Sequence, residues 1–167
     1  MSFNIIIDSC GELTKEMKED SRIISAPLTL EAGGETFIDD ETFDQKMFLE
    51  KIASASECPK SSCPSPQFYY DGYMTGETHH YAVTLSAELS GSYNSAILGR
   101  SMALDHNPDM KIHVFNSRSA SVGQTLIARK IVEYEEQDMP FKKIVEEVEK
   151  YIRSQNTFQL LLLFLKG

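Results

Sequence analysis

The sequence lacks tryptophan and has only three cysteines among its 167 residues. Three is an odd number, which excludes a complete internal disulfide framework, and the spacing of Cys10, Cys58 and Cys63 matches no zinc-binding pattern. Free thiols are typical of the reducing cytosol, so a cytoplasmic location is expected. No apolar stretch reaches the ~18 residues that a membrane helix needs. The N-terminus also lacks the charged and apolar regions of a signal peptide. The sequence therefore predicts no integral membrane segment.

Basic residues are scarce as well. Lys and Arg number 16 against 25 Asp and Glu, which leaves a formal net charge of −9. Nucleic-acid binding requires clustered Lys and Arg to neutralise phosphates, so we expect no nucleic-acid partner. The chain also has no P-loop, no G-x-G-x-x-G, no G-x-S-x-G and no H-E-x-x-H. These absences remove the common signatures of nucleotide-binding proteins, serine hydrolases and zinc proteases.

The histidines and acidic clusters do not predict a metal site. The four histidines, His79, His80, His106 and His113, have no partner at helical metal-ligand spacing. Adjacent residues of a strand point to opposite faces, so His79 and His80 would not easily share a metal. Surface or capping positions are expected for the histidines instead. The run 39–41 is expected to form a solvated turn. We therefore predict neither a metal nor a catalytic cofactor.

Strand-like and helix-like segments alternate along the chain, which is typical of an α/β fold with a mostly parallel sheet and helices on both faces. We predict strands at 3–7, 23–30, 35–39, 79–85 and 111–115, with a turn at Gly33-Gly34. Helices are predicted at 13–19, 42–55, 66–74, 92–104, 122–136 and 141–154. Residues 1–155 are expected to form this domain. The apolar stretch 156–167 is predicted to begin a second domain that is largely absent, because an exposed apolar run usually has a partner.

Hydroxyl groups are the remaining candidates for chemistry. Serines cluster in two loops that precede helices, at 61–65 and at 86–95. A helix N-terminus presents unpaired N–H groups and the positive end of a dipole, which together favour an anion. In parallel sheets, ligands bind outside the carboxyl ends of the strands, where such loops lie. The alternative is that these serines only cap the helices.

Six separated motifs, in register over the whole chain, resemble the DegV family of bacterial fatty-acid-binding proteins. The segment 89–96, LSGSYNSA, resembles the LSGTY-x-SA signature, and it is preceded by Ser86. The segment 60–66, KSSCPSP, is similar to the TSxPS loop. Asp8-Ser9 resembles the opening Asp-Ser, residues 27–39 resemble the PL…G…D hairpin, and residues 114–123 resemble the V-x-DS…S-x-G turn. The ending at 164–167 is similar to the start of an LxxGGRI segment.

The resemblance implies a lipid-binding protein rather than an enzyme. Members of the family hold one long-chain fatty acid between two α/β domains, and some present it to a separate fatty-acid kinase that forms an acyl-phosphate. Carried over to this sequence, the carboxylate contacts would be Ser61 or Ser62 together with Ser90, with Gly91 and Ser92 nearby. Secondary candidates are Ser9, Ser86 and Ser117. Gly91 is expected to allow close backbone approach or a positive φ. The oligomeric state stays open.

Two other functions are consistent with the residues. One is a hydrolase or transferase with Ser90 or Ser62 as the nucleophile, which requires a base within hydrogen-bond reach. The other is an interaction fragment that joins another chain through its apolar C-terminal run.

Overall fold

The computed structural model describes the backbone of residues 1–165 and the side chains of residues 1–155. The strands are β1 (Phe3–Asp8), β2 (Ile23–Ala26), β3 (Thr29–Ala32), β4 (Glu35–Ile38), β5 (Lys60–Ser62), β6 (His79–Thr84) and β7 (Lys111–Asn116). The helices are α1 (Lys15–Glu19), α2 (Gln45–Ser54), α3 (Pro66–Tyr73), α4 (Ser92–His106), α5 (Val122–Glu136) and α6 (Phe141–Leu165). Among the described residues, no helix combines the length and the apolarity that crossing a bilayer requires.

Four strands form a parallel sheet in the order β2-β1-β6-β7. This confirms the predicted fold class. The two central strands, β1 and β6, are buried along their whole length. Strands covered on both faces are typical of parallel sheets, because helical crossovers place helices over both faces. All four strands run in one direction, so their carboxyl ends share one edge of the sheet.

The two faces of the sheet carry separate hydrophobic clusters. Ile5 and Ile7 of β1 pack with α5 and α6, in a cluster that also contains Tyr81 and Phe115. Ile6 points the other way and packs with α3 and α4. The period of two along a strand sends successive side chains to opposite faces, so a run of three isoleucines contributes to both clusters.

A second, three-stranded sheet has the order β4-β3-β5, with antiparallel pairing on both sides of β3. The predicted turn at Gly33-Gly34 joins β3 and β4, and both glycines have the positive φ that favours glycine. The single predicted strand at 23–30 is wrong, since its two halves belong to different sheets. The break falls at Pro27, which cannot donate a backbone hydrogen bond. The predicted loop at 61–65 begins within the short strand β5.

Two helix predictions are also corrected. Helix α1 begins at Lys15 instead of at 13, because Thr14 caps it and accepts a hydrogen bond from the Met17 N–H at 3.3 Å. Helix α6 continues to Leu165 instead of ending at 154, because no Gly or Pro interrupts it there. The side chains of 156–165 and residues 166–167 lie outside the described residues. The predicted domain start at 156–167 therefore stays a prediction.

Helices α3 and α4 pack closely at Gly99. A Cβ atom at this position would lie 2.6 Å from the Pro66 carbonyl oxygen and 2.8 Å from the Tyr69 Cβ. Neither neighbour is the flexible end of a side chain, so contact is relieved only by moving the helices apart. This close approach also holds the N-terminus of α3 near α4.

We expect Gly99→Ala to lower the free energy of unfolding by about 1–3 kcal/mol, the usual cost of overpacking. The better helix propensity of alanine, worth about 1 kcal/mol, offsets only part of this cost. Urea unfolding measures the change. Ser101→Ala, at an exposed position of the same helix, is the control and should stay near wild type. Equal stability of Gly99→Ala and wild type would contradict the packing argument.

Candidate functional site

The loops that follow the strands of the parallel sheet are joined to one another by backbone hydrogen bonds. The Ser86 N–H donates to the Ser119 carbonyl at 3.0 Å, which links the loop after β6 to the loop after β7. The Ser121 N–H donates to the Cys10 carbonyl at 3.1 Å, which links the loop after β7 to the loop after β1. The predicted convergence of these loops at one edge is therefore present.

The two serine-rich segments meet through Cys63. The Cys63 Sγ lies 3.6 Å from the Ser95 Oγ on the first turns of α4. A Cβ atom at Gly91 would lie 3.1 Å from the same sulfur. The loop before α3 thus packs directly against the start of α4. This juxtaposition joins segments that are about thirty residues apart in the chain, as the Cys63–Ser95 separation of 32 positions shows.

The two helices differ in how their N-termini are capped. Ser65 caps α3, and its hydroxyl accepts a hydrogen bond from the Phe68 N–H at 3.2 Å. Gly91 occupies the cap position of α4 and has no side chain with which to cap it. Apart from the Ser92 N–H, which donates to the Ser90 Oγ, the first turn of α4 therefore retains backbone N–H groups that no cap side chain satisfies, and this arrangement favours an anion.

Ser90 and Ser92 form a hydroxyl pair at this helix start. Their Oγ atoms are 3.0 Å apart, and the Ser92 N–H donates to the Ser90 Oγ at 3.2 Å. Ser90 is half-buried, whereas Ser92 is 0% exposed. Gly91 has φ −73°, so the expected positive φ is wrong. Its lack of a side chain instead permits the close approach to Cys63.

Ser61 and Ser62 lie on β5 and are exposed. They pair in register with Leu30 and Thr29 of β3. Because neighbouring residues of a strand point to opposite faces, only one of the two hydroxyls can face the same side as a ligand at α4. The sequence left open whether Ser61 or Ser62 contacts the ligand. The answer depends on which face of β5 lies toward the start of α4.

The secondary candidates all make hydrogen bonds with loop residues. The Ser9 Oγ donates to the Asp39 carboxylate at 2.7 Å and accepts the Leu28 N–H at 3.0 Å. The Ser117 hydroxyl is buried, donates to the Ser119 carbonyl at 3.0 Å and accepts the Ser119 N–H at 3.1 Å. Ser86 is also buried and accepts the Glu88 N–H at 3.4 Å. Ser9 thus joins the loop after β1 to the segment 27–39, whereas the bonds of Ser86 and Ser117 stay within their own loops. A ligand contact by these three serines stays a prediction.

Asp8 is the central residue of this edge, and sequence reasoning missed its role. Its side chain is 0% exposed. The carboxylate accepts the Leu85 N–H at 2.6 Å and the Gln124 Nε2–H at 2.9 Å. Burial raises the pKa of Asp8 above its ordinary value, although hydrogen bonds from Gln124, Leu85, Cys10 and Ser92 partly oppose this shift. The signals in the sequence were the position of Asp8 at the end of an apolar strand and the resemblance of Asp8-Ser9 to a family motif, and neither indicated a buried carboxyl.

Two polar atoms beside Asp8 lack a hydrogen-bond partner among the described residues. They are the Tyr69 hydroxyl and the Gln124 Oε1, and both side chains are fully buried. Burial, followed by the charge of Asp8, raises the pKa of Tyr69 above its ordinary value. Buried polar groups are usually paired, so this cluster retains hydrogen-bonding capacity.

The histidines do not supply a base for Ser90 or Ser62. His79 and His80 are each 1% exposed, so the expectation that they lie at surface or capping positions is wrong. His79 contacts Glu135 at 2.6 Å, and His80 contacts Asn4 at 2.9 Å. Both begin β6, at the edge of the sheet opposite the serine loops. His113 contacts Glu149 at 3.3 Å, and His106 lies in the last turn of α4.

The segments 61–65 and 86–95 meet at the carboxyl edge of the parallel sheet, and we call this region the serine edge. Apolar side chains flank it. Leu89, directly before Ser90, is 73% exposed, and Val122, at the start of α5, is 54% exposed. Within the part of the chain that the structure describes, no group of three or more histidine, cysteine or acidic side chains is arranged to hold a metal ion. The edge therefore combines neutral donors with exposed apolar surface.

Comparison with known proteins identifies the family of this chain. Residues 2–161 match the model described as "Uncharacterised protein, DegV family". The chain belongs to the DegV family. A DegV domain-containing protein of Streptococcus pneumoniae R6 is 34% identical over 132 residues, which are 79% of this chain and 47% of that protein. This DegV chain thus spans about half the length of such curated relatives.

Two solved DegV-like structures resemble this chain closely. A DegV family protein from Ruminococcus gnavus, refined with vaccenic acid, has 48% identity and a TM-score of 0.87, covering 91% of this chain and 55% of its own. The fatty acid kinase B3 protein of Streptococcus pneumoniae, loaded with linoleic acid, has 32% identity and a TM-score of 0.80, covering 92% and 55%.

Gly91→Ala should lower the free energy of unfolding, because the new methyl group meets the Cys63 sulfur and alanine is a poor cap residue. In a Cys63→Ala background the steric part of this loss should disappear. A double-mutant cycle measured by urea unfolding should therefore give a coupling of about 0.5–1.5 kcal/mol between the two positions. Additive effects would show that the two loops do not pack against each other.

Asp8 should make stability depend on pH. A raised pKa in the folded state means that protonated Asp8 stabilises the fold. This contribution is fully present below about pH 4, the ordinary aspartate range, and is lost as pH rises through the raised value. The stability of wild type relative to Asp8→Asn should therefore fall between pH 4 and pH 7. Urea unfolding across this range tests it, with Asp105→Asn as the exposed control, which should run parallel to wild type.

Proposed function

We propose that this DegV chain holds a long-chain fatty acid by its carboxylate, without changing it chemically, and that the complete protein presents the acid to a separate fatty-acid kinase. The proposed contacts are Ser90 and either Ser61 or Ser62, with the Gly91 and Ser92 backbone amides beside them. The observation that carries the proposal is the meeting of two hydroxyl-bearing loops at the uncapped start of α4.

Carboxylate binding suits the chemistry of this edge. The segment 86–95 contains no Lys or Arg, so its donors are hydroxyls and backbone amides. Such donors, together with the helix dipole, stabilise a negative charge at a helix start. A carboxylate held by neutral donors keeps its nucleophilic character and one oxygen can remain accessible, as phosphoryl transfer to that oxygen by a kinase would require.

The exposed apolar side chains suit the rest of the ligand. Leu89 stands next to Ser90, so a carboxylate at Ser90 places the first carbons of an acyl chain near an apolar surface. Burial of a methylene group contributes about 0.8 kcal/mol, and a long chain therefore gains most of its affinity from its tail. Relatives of this DegV chain are about twice as long, so the surfaces that enclose the tail are proposed to come partly from the other half of the complete protein.

The related structures support this proposal. The Ruminococcus gnavus neighbour carries vaccenic acid, and the Streptococcus pneumoniae neighbour carries linoleic acid and is described as a fatty acid kinase protein. The second description is the basis for proposing a kinase partner. A serine nucleophile is less well supported, because the histidines lie at the other edge of the sheet or bond elsewhere.

Native mass spectrometry with lipid extraction tests the function directly. Two proteins would be compared: this chain alone, and this chain followed by the part of the Ruminococcus gnavus protein that it does not cover. A fatty acid on only the second form supports the proposal and shows that the tail needs the added surface. A fatty acid on both shows that the serine edge already suffices. Folded protein without lipid in both forms would contradict the proposal.

Ser90→Ala should weaken palmitate binding by about 1.5–3 kcal/mol, or about 10- to 150-fold, the range for a lost hydrogen bond to a charged group. The affinity would be measured by titrating palmitate into whichever of the two proteins of the mass-spectrometry experiment binds lipid. The control is Ser101→Ala, which removes an exposed hydroxyl from α4, away from the loop that contains Ser90. This variant should bind palmitate like wild type. If both variants bind equally well, Ser90 does not contact the carboxylate.

A further inference from the structure

The loop that joins β6 to α4 is held by hydrogen bonds from its own backbone N–H groups. The Ser86 carbonyl accepts the Leu89 N–H at 2.9 Å and the Ser90 N–H at 3.1 Å. The Ser86 hydroxyl accepts the Glu88 N–H at 3.4 Å. These bonds fix Ser90 relative to Ser86, so the position of Ser86 decides where the Ser90 hydroxyl lies.

The N–H groups at the beginning of this loop donate to the strands on either side of β6. The Leu85 N–H donates to the carboxylate of Asp8, the last residue of β1, at 2.6 Å. The Ala87 N–H donates to the side-chain Oδ1 of Asn116, the last residue of β7, at 3.1 Å. Because β6 lies between β1 and β7, the loop is anchored from both of its neighbours.

The Asn116 oxygen also shapes the loop after β7. It accepts the Arg118 N–H at 3.0 Å. Arg118 has φ +51°, a region that residues other than glycine rarely adopt, so this hydrogen bond helps to maintain an unfavourable backbone conformation. The same loop brings the Ser119 carbonyl to the Ser86 N–H at 3.0 Å. One side-chain oxygen thus supports two links between the loops after β6 and β7.

We infer that Asn116 is a positioning residue of the proposed carboxylate site. Its Oδ1 fixes the loop after β6 against the loop after β7, and through Ser86 it places the Ser90 hydroxyl at the start of α4. Asn116 acts in this role through Ser90 and not by contact with the ligand. This inference rests on the proposed fatty-acid-binding function.

The chemistry of an asparagine side chain suits this position. Both partners are N–H donors, so the oxygen of the amide and not its nitrogen faces them, and two lone pairs accept the two bonds. The amide is neutral, so it holds the loop without adding a negative charge near a bound carboxylate. Aspartate would supply an acceptor with a charge, and alanine would supply no acceptor.

The affinity for palmitate tests this role. Palmitate is titrated into whichever of the two proteins of the mass-spectrometry experiment binds lipid. Asn116→Ala should bind it about 2- to 10-fold more weakly than wild type, which is equivalent to the loss of one neutral hydrogen bond. Asn116→Asp keeps an acceptor oxygen but adds a charge, so its affinity should lie between those of Asn116→Ala and wild type.

Asn107→Ala is the matched control. The Asn107 Oδ1 accepts the N–H of Asp109, two residues further on, at 3.1 Å, as Asn116 does with Arg118. Asn107 is exposed and follows the last turn of α4, at the opposite end of the helix from Ser90. Both alanine variants should shift the urea midpoint to a lower concentration, but only Asn116→Ala should weaken palmitate binding. A merely structural role would change the midpoint and leave the affinity unchanged.

Ala87→Pro tests the same hydrogen bond from the donor side. Proline has no backbone N–H, and Ala87 is the second residue of the turn between Ser86 and Leu89, a position at which proline is favoured. This variant removes the bond to Asn116 and should also weaken palmitate binding. Because both variants interrupt one link, the combined variant should lose less affinity than the two separate losses predict.

The outcomes separate this inference from the proposed function. If Asn116→Ala and Ala87→Pro both bind palmitate as wild type does, Asn116 is not a positioning residue and the fatty-acid function still stands. The inference is also overturned if Asn116→Asp binds no more tightly than Asn116→Ala. Weaker binding by Ala87→Pro supports the role even where Asn116→Ala does not fold. Folded wild type that binds no palmitate would overturn both.

Discussion

The burial of β1 on both faces is the constraint on which the other features depend. Three consecutive isoleucines in β1 supply both hydrophobic clusters, and the strand pairs with β2 on one side and β6 on the other. A central strand in a parallel sheet must be covered by helices on both faces, which places α3 and α4 opposite α5 and α6. It also places the end of β1, and hence Asp8, at the middle of the carboxyl edge.

A buried carboxyl at that position organises the loops around it. Asp8 receives hydrogen bonds from the residue after β6 and from α5, so one side chain connects three elements. An uncompensated buried charge is costly, and the hydrogen bonds to Asp8 reduce this cost without removing it. The resulting rise in the pKa of Asp8 is a property of the location rather than of aspartate itself.

As the proposed carboxylate site, the serine edge differs from an anion site built on arginine or lysine. Hydroxyls and amides stabilise a carboxylate through short-range hydrogen bonds, whereas a cation would also pair with it strongly and withdraw its charge. In a chain with a net charge of −9, such a site selects its ligand by local geometry and apolar contact instead of long-range attraction. Such a site is consistent with a carrier that must release or present its ligand.

The sequence by itself determined the alternation of strands and helices, the fold class and the two serine segments, because hydrophobic period and turn residues are local features. Only the tertiary structure decided how those segments meet. Asp8 lies 77 positions from Leu85 and 116 from Gln124, so nothing local indicated that they share hydrogen bonds. For the same reason, the sequence assigned the buried His79 and His80 to surface or capping positions and joined β2 to β3. Burial and pairing arise from packing between distant segments, which a reading of neighbouring residues does not contain.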